Sequence, residues 1–301
     1  MTRGQRLGLF VLFLPTLVIT VVFYGLPAVV TAAMSFTDMD FRLRWNFVGF
    51  ATFLRVAEDF LLPRILQNTV VYAFFTLAFF NVGLALLLAL AATFVPERVG
   101  RVVQALWILP RLTPPIVYGI IWMWILDPTR AGLLNSLLAL AGVGPVDWVT
   151  RHPMAVIVVT NGIIGASFGM VVFSSAIRSI PRDYTWAALA DGATWLQQVR
   201  FVTLPLIRWP LLCVTAYQTL SLLTSYEYIL IVTGGGPHFA TTVWSLYAYN
   251  LAFGGDFANH AFGYGAALSL VLVVLGVAAS VAYWRAFRFR EVAAEPKIEV
   301  M

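Results

Sequence analysis

Long apolar runs alternate with short polar stretches along the whole chain. A hydrocarbon core of about 30 Å needs roughly 20 helical residues to cross it. Six runs reach that length, near residues 8–35, 69–94, 102–126, 154–177, 207–232 and 262–284. Each is predicted to be a transmembrane helix. The first follows Arg3 and Arg6, as a signal sequence would, but its apolar run exceeds the roughly 7–15 residues of such a core. It is therefore read as an uncleaved span.

Between spans four and five the pattern changes. Residues 180–205 are more polar and read as two short helices. Pro181 suits a first helical turn, and Asp183 there complements the helix dipole. Tyr184, Ala187 and Ala188 share a face at three- and four-residue spacing. Asp191-Gly192 marks a stop and a turn, since glycine takes positive φ without steric cost. Thr194 then caps a second helix, with Gln197 completing a T-x-x-Q capping box. Pro205 is expected to end or redirect that helix before span five. Such a hairpin is either a docking knob or a plain linker lying on the membrane.

Composition sharpens the picture. Sixty per cent of the 301 residues are hydrophobic and 11% are charged, against roughly 25% charged in soluble domains. Mean hydropathy is +0.86. These values exclude an ordinary soluble domain and a disordered chain. The net charge of +5 is spread between apolar blocks, with no dense basic patch for nucleic acid. The single cysteine, Cys213, lies in an apolar stretch and reads as a small hydrophobe. The only lysine is Lys297, preceded by Pro296, so a phosphate-binding G-x4-G-K-[ST] loop is impossible. If ATP drives this protein, another chain hydrolyses it.

An even number of spans puts both termini on one side. With the termini inside, the inner segments hold Arg3, Arg6, Arg98, Arg101, Arg178, Arg182, Arg200, Arg208, Arg285, Arg288, Arg290 and Lys297. The outer ones hold Arg42, Arg44, Arg55, Arg64, Arg130 and Arg151. The positive-inside rule thus favours cytoplasmic termini.

The hairpin resembles the signature of binding-protein-dependent ABC importer permeases: an E-A-A triplet, then D-G-A, then L-P. Ala187, Ala188, Asp191, Gly192, Ala193, Leu204 and Pro205 carry the match, while Trp186 stands where the family usually has Glu. The stretch Leu109-Pro110, Pro114, Gly119, Trp122, Pro128, Gly132 and Asn135 is similar to the family's third span and following loop. Ser35-Phe36-Thr37, Val48-Gly49 and Asn68-Thr69 resemble the first outer region. Thr233 to Pro237, with Thr241 and Tyr249, are similar to the sugar-importer branch.

The resemblance implies an all-α membrane protein of the type I importer fold, with one permease domain over 1–301: a first span near 8–35, core spans over 69–290 and cytoplasmic coupling helices over 181–205. It implies a permease subunit for a carbohydrate, whether sugar, oligosaccharide, polyol or sugar phosphate. The partners it implies are a second, different permease subunit (a heterodimer), two cytoplasmic ATPase subunits and an extracytoplasmic solute-binding protein. The chain itself carries no cofactor, ATP and Mg belonging to the ATPase, and the location is a bacterial or archaeal cytoplasmic membrane. Asp183, Ala187, Ala188, Asp191, Gly192, Ala193, Trp195, Leu204 and Pro205 are the candidate contacts to that ATPase.

Polar residues inside the spans are the candidates for the solute pathway. A charge in mid-membrane costs roughly 2.5–3.5 kcal/mol on insertion scales. Glu227, in Ser225-Tyr226-Glu227-Tyr228 of span five, either holds solute hydroxyls or a gate contact, or partners another subunit or backbone donors. Arg111 either meets an anionic group, snorkels to the interface, or pairs with Glu227. Asn81, Tyr118, Asn161, Tyr217, Gln218 and Ser221 complete the set, with helix–helix hydrogen bonding as the alternative for each. Gly234, Gly235, Gly236 and Pro237 form an outer turn suited to close contact with the binding protein, or a plain loop. A secondary carrier driven by an ion gradient is the rival function; it would need titratable residues in the membrane, where only Glu227 and Arg111 are available. His152, His238 and His260 are scattered, and neither H-E-x-x-H nor G-x-S-x-G occurs, so catalysis has no support.

Overall fold

The computed structural model describes residues 3–254 and 260–286, with side chains within 12–254 and 260–285. The C-terminal tail, including Arg288, Arg290 and Lys297, lies outside the described residues. Apart from one antiparallel bridge between Thr37 and Phe47, the described residues are helices, turns and loops.

Four helices are long and apolar enough to cross a membrane unbroken. The first, α1, runs as Arg3–Thr20, a π-helical turn Val21–Gly25 and Leu26–Met34. A short helix α2 spans Ala51–Ala57. The next long helix, α3, covers Leu62–Phe94 and is π-helical over Thr76–Leu84. Pro153–Arg178 (α8) and Phe262–Ala286 (α14) are the other two. Four of the six predicted spans therefore appear as continuous helices.

The other two are broken. The span expected at 102–126 is a helix pair, α4 (Glu97–Leu112) and α5 (Pro115–Ile125), meeting at 101°. Thr113-Pro114-Pro115 explains the break, because a residue before proline is driven out of the helical region. Thr113 and Pro114 have ψ of 134° and 138°. The span expected at 207–232 is α11 (Arg208–Thr224) and α12 (Glu227–Val232), separated by Ser225 and Tyr226. By length and apolarity the bent pair Glu97–Leu112 with Pro115–Ile125, and the pair Trp195–Leu206 with Arg208–Thr224, can each count as one further crossing, which gives up to six among the described residues. Between these elements lie α6 (Leu133–Leu140), α7 (Trp148–Arg151), α9 (Arg182–Ala190), α10 (Trp195–Leu206) and α13 (Trp244–Phe253).

The chain divides into two compact units. One comprises the residues up to Leu62 with Tyr247–Val274. There Gly263 N–H donates to the carbonyl of Met39 at 2.9 Å, and Phe36, Phe50 and Phe53 pack ring on ring. Asp59 accepts hydrogen bonds from Tyr247 (2.5 Å) and Tyr264 (2.8 Å). Burial, then the Asp59 carboxylate, pushes the Tyr247 hydroxyl well up from its ordinary value, so it stays a donor at neutral pH.

The other unit comprises Pro63–Leu246 with the end of α14 from Leu275 onward. Its centre is α8, largely buried and packed against α3, α4, α11 and α12. Small residues allow the approach, as membrane helix packing requires. A Cβ on Gly165 would collide with the Asn81 side chain, and one on Gly169 would stand 2.7 Å from Ala85. Ala85, Ala89, Ala166, Phe173 and Val214 form the apolar cluster at that contact.

Candidate functional site

The hairpin forms as its sequence dictates. Helix α9 carries Asp183 in its first turn, and Pro181 stands at the N-cap, one residue outside the helix. The C-terminus is a Schellman motif. Gly192 N–H donates to Leu189 O at 3.0 Å, Ala193 N–H donates to Ala188 O at 2.9 Å, and Gly192 holds φ +75°. Gln197 Oε1 then accepts both the backbone N–H (2.7 Å) and the hydroxyl (2.9 Å) of Thr194. The capping box thus closes through its glutamine. Pro205 does not end the helix. A π-helical stretch over Val199–Thr203 carries α10 through it, and the chain turns at Ile207, where α10 and α11 meet at 70°. The wider turn absorbs the missing N–H of the proline.

Asp183, Ala187, Asp191, Gly192, Trp195 and Pro205 are exposed, while Ala188, Ala193 and Leu204 are half-buried. Beside them the hairpin exposes large apolar side chains: Trp186 is 61% and Leu196 66% accessible, and Tyr184 and Leu189 are also more than half open. Phe94, at the end of α3, packs edge-on to Trp195 with ring centres 5.6 Å apart.

The polar residues of the spans separate into two groups. Asn161 on α8 donates through Nδ2 to the Tyr72 hydroxyl (2.5 Å) and to Ser225 Oγ (2.9 Å). Ser245 Oγ donates to the Ser225 carbonyl at 2.8 Å. These bonds hold the break between α11 and α12. Gln218 donates to Gly165 O at 2.8 Å, and Tyr118 to Thr160 O at 2.8 Å. Asn81 is 1% exposed in the π-helical part of α3, and its Oδ1 has no hydrogen-bond partner. These four side chains lie inside helix–helix contacts.

Tyr217, Ser221 and Glu227 lie on an open face. Cys213, Tyr217, Ser221 and Thr224 form an exposed stripe along α11, at the spacing of one helix face. The Tyr217 ring lies 4.7 Å from Phe168 of α8, and the Arg111 guanidinium sits 5.5 Å from the Phe168 ring centre. Glu227 is exposed just past the break, at the first residue of α12, and not within the helix of span five. The Arg111–Glu227 pair is not formed; among the described residues the one ion pair is Glu97 with Arg101, at 3.8 Å. Sequence reasoning missed Phe168 and Ser225. The serine had a signal, since Ser225 to Glu227 interrupts an apolar run.

Two loops near the other ends of the spans are tightly bonded. Gly234 and Gly235 have φ of +60° and +86°, and the Gly236–Pro237 bond is cis. Thr241 and Thr242 hydroxyls donate to Gly236 O and Gly235 O at 3.0 and 2.9 Å, and Asn68 Nδ2 donates to Phe239 O and Thr242 O. Gly235 is buried beneath Thr242 and Leu246, leaving Gly234 and Pro237 exposed. In the loop after α5, Asn135 is a buried hub. Its Nδ2 serves the carbonyls of Asp127, Thr129 and Val146, and its Oδ1 accepts from Val146 N–H and the Trp148 indole.

Broken membrane helices held by side chains, with a polar stripe open beside them and an exposed helical hairpin at one end, define a membrane transport subunit. The chain belongs to the family of binding-protein-dependent transport system inner membrane components, whose model matches residues 81–285. It is 32% identical to the trehalose/maltose transport system permease protein of Thermococcus litoralis over 296 residues, 96% of each chain. It is also 32% identical to an sn-glycerol-3-phosphate transport system permease protein of Agrobacterium fabrum, over 93% of each. A chain of a bacterial alginate ABC transporter, solved with an alginate pentasaccharide-bound periplasmic protein, shares the fold with a TM-score of 0.79 at 22% identity over 93% of each. The chain is thus an ABC importer permease.

Proposed function

We propose that this permease forms the pathway for a carbohydrate delivered by an extracytoplasmic binding protein, with ATP hydrolysed by two partner subunits and a second permease completing the channel. The hairpin over 182–206 carries the reading. It is a rigid turn that displays Tyr184, Trp186, Leu189 and Leu196 to its surroundings, and exposed apolar groups of that size mark a docking face. Asp183, Ala187, Asp191 and Trp195 share it. Trp186 replaces the family's usual acidic residue, so apolar contact takes the place of an ion pair there.

The solute side rests on Tyr217, Ser221 and Glu227, with the Phe168 ring beside them. Flat aromatic faces next to hydroxyl and carboxylate groups suit a sugar, and exposed polar groups at membrane depth favour a water-filled cavity over lipid. Asn81, Tyr118, Asn161 and Gln218 fix the helices behind that face. Gly234 and Pro237 offer backbone to the binding protein at the far end. The relatives' names, maltose or trehalose and glycerol 3-phosphate, fit a carbohydrate or polyol class. The termini and the hairpin face the cytoplasm in this arrangement.

Purification of the tagged chain in mild detergent, with mass identification of what remains bound, is the test. Recovery of a cytoplasmic ATPase and a second six-span protein is expected, and carbohydrate should then stimulate ATP hydrolysis in the complex. A well-folded chain that is always recovered alone would reject the reading.

A further inference from the structure

A cavity of about 570 Å³ lies where α3, α8, α9 and α10 converge. Its level is set by the spans themselves. Phe94 ends the long helix α3, Arg178 ends α8, and both line the cavity. Helices that cross a membrane end at or beyond the headgroup level, and the cavity opens at two such ends. Its wall is divided. Phe94 and Ile177 are apolar, while Arg178, Arg182, Thr185 and Gln198 are polar. Arg178 Nη2 reaches the Ala92 carbonyl at 3.4 Å, so that guanidinium is steadied at the rim. The one carboxylate in the wall, Glu97, faces Arg101 one turn along α4. Two guanidinium groups thus remain without an acidic partner among the described residues.

We propose that this cavity binds the headgroup of an anionic phospholipid. The phosphodiester meets Arg178 and Arg182, the glycerol hydroxyl region meets Thr185 and Gln198, and the first acyl carbons lie against Phe94 and Ile177. A free phosphate would use the arginines and leave the apolar wall uncovered. The divided lining favours an amphipathic ligand, and basic pockets between membrane helices bind anionic headgroups through this chemistry. Because α9 and α10 form two of its walls, occupancy links lipid composition to the hairpin.

The test is native mass spectrometry of the full-length chain, delipidated and exposed in turn to phosphatidylglycerol, phosphatidylcholine and inorganic phosphate. The wild type should retain phosphatidylglycerol over phosphatidylcholine. Retention should fall about fivefold for each arginine removed in Arg178→Gln and Arg182→Gln. Arg178→Gln also removes the bond to Ala92, so Thr185→Phe provides a second variant that fills the cavity and keeps both charges; it too should lose the lipid. Equal retention of the two lipids, or retention unchanged in all three variants, would overturn the proposal. Displacement of the lipid by millimolar inorganic phosphate would do so as well, by showing a site for a free anion. None of these readings depends on which solute is carried or on the partner subunits.

Discussion

Gly192 shows how one torsion angle sets a surface. Nothing lies within 4 Å of where its Cβ would be, so space is not the constraint. The constraint is φ +75°, which costs an ordinary L-residue about 1–2 kcal/mol and asparagine less. Gly192→Val should therefore lower the maximal carbohydrate-stimulated ATP hydrolysis of the reconstituted importer by about five- to tenfold, and Gly192→Asn should be close to wild type. Equal rates in Gly192→Val and wild type would show that turn geometry is not transmitted. Asn135 is the counterpart in the loop after α5. Asn135→Leu keeps the volume but leaves the Val146 N–H and the Trp148 indole without their acceptor, at about 1–3 kcal/mol each. Trypsin should then cut after Arg130 and Arg151 at least about tenfold faster, with helix content by circular dichroism unchanged. Unchanged cleavage would assign the loop's order to the packing of Leu134 and Trp148 instead.

The elements divide by how local their causes are. Length and apolarity alone identify α1, α3, α8 and α14, and Gly192 with Gln197 identifies the hairpin, because those signals lie within one stretch of chain. The bend between α4 and α5 was also written locally, in Thr113-Pro114-Pro115, but it is masked by apolar residues on both sides. The break at Ser225 is different. It depends on Asn161 and Tyr72, 64 and 153 residues away in sequence, and no local pattern announces partners at that range. The same holds for the polar residues of the spans. Tyr217 and Gln218 are neighbours with similar polarity, yet one is 50% exposed and the other 2%, a choice made by the packing of α8. If Asn161 supports the break, Asn161→Leu should lower the thermal midpoint of the detergent-solubilised chain by about 5 °C, from ~2 kcal/mol of lost bonding. Tyr72→Phe, which loses one hydroxyl, should show a smaller shift. A midpoint unchanged in Asn161→Leu would mean that Ser245 and the backbone suffice to hold it.

At the scale of the whole molecule, a permease must let solute through one face while another takes a signal from ATP, and these two tasks should be separable. The hairpin and the α11 stripe share no residue. The hairpin presents bulky apolar side chains on a fixed turn, which suits transmission of a push. The stripe presents Tyr217 and Ser221, with Glu227 just past the helix break, which suits reversible contact with a passing solute, since a helix already interrupted there can shift without disrupting a continuous ladder. On the proposed reading, solute contacts should act on the concentration dependence and the hairpin on the maximal rate. Tyr217→Ala removes a stacking face of about 0.5–1.5 kcal/mol, and should raise the carbohydrate concentration for half-maximal stimulation of ATP hydrolysis by up to about tenfold. Glu227→Gln should move it in the same direction by losing a charged acceptor. In both variants the partner subunits should still co-purify and the maximal rate should stay within about twofold of wild type. Gly192→Val should give the converse, a reduced maximum at an unchanged half-maximal concentration. If Tyr217→Ala lowered only the maximum, the α11 stripe would belong to the interface between permeases, and the solute would have to pass along another face of α8.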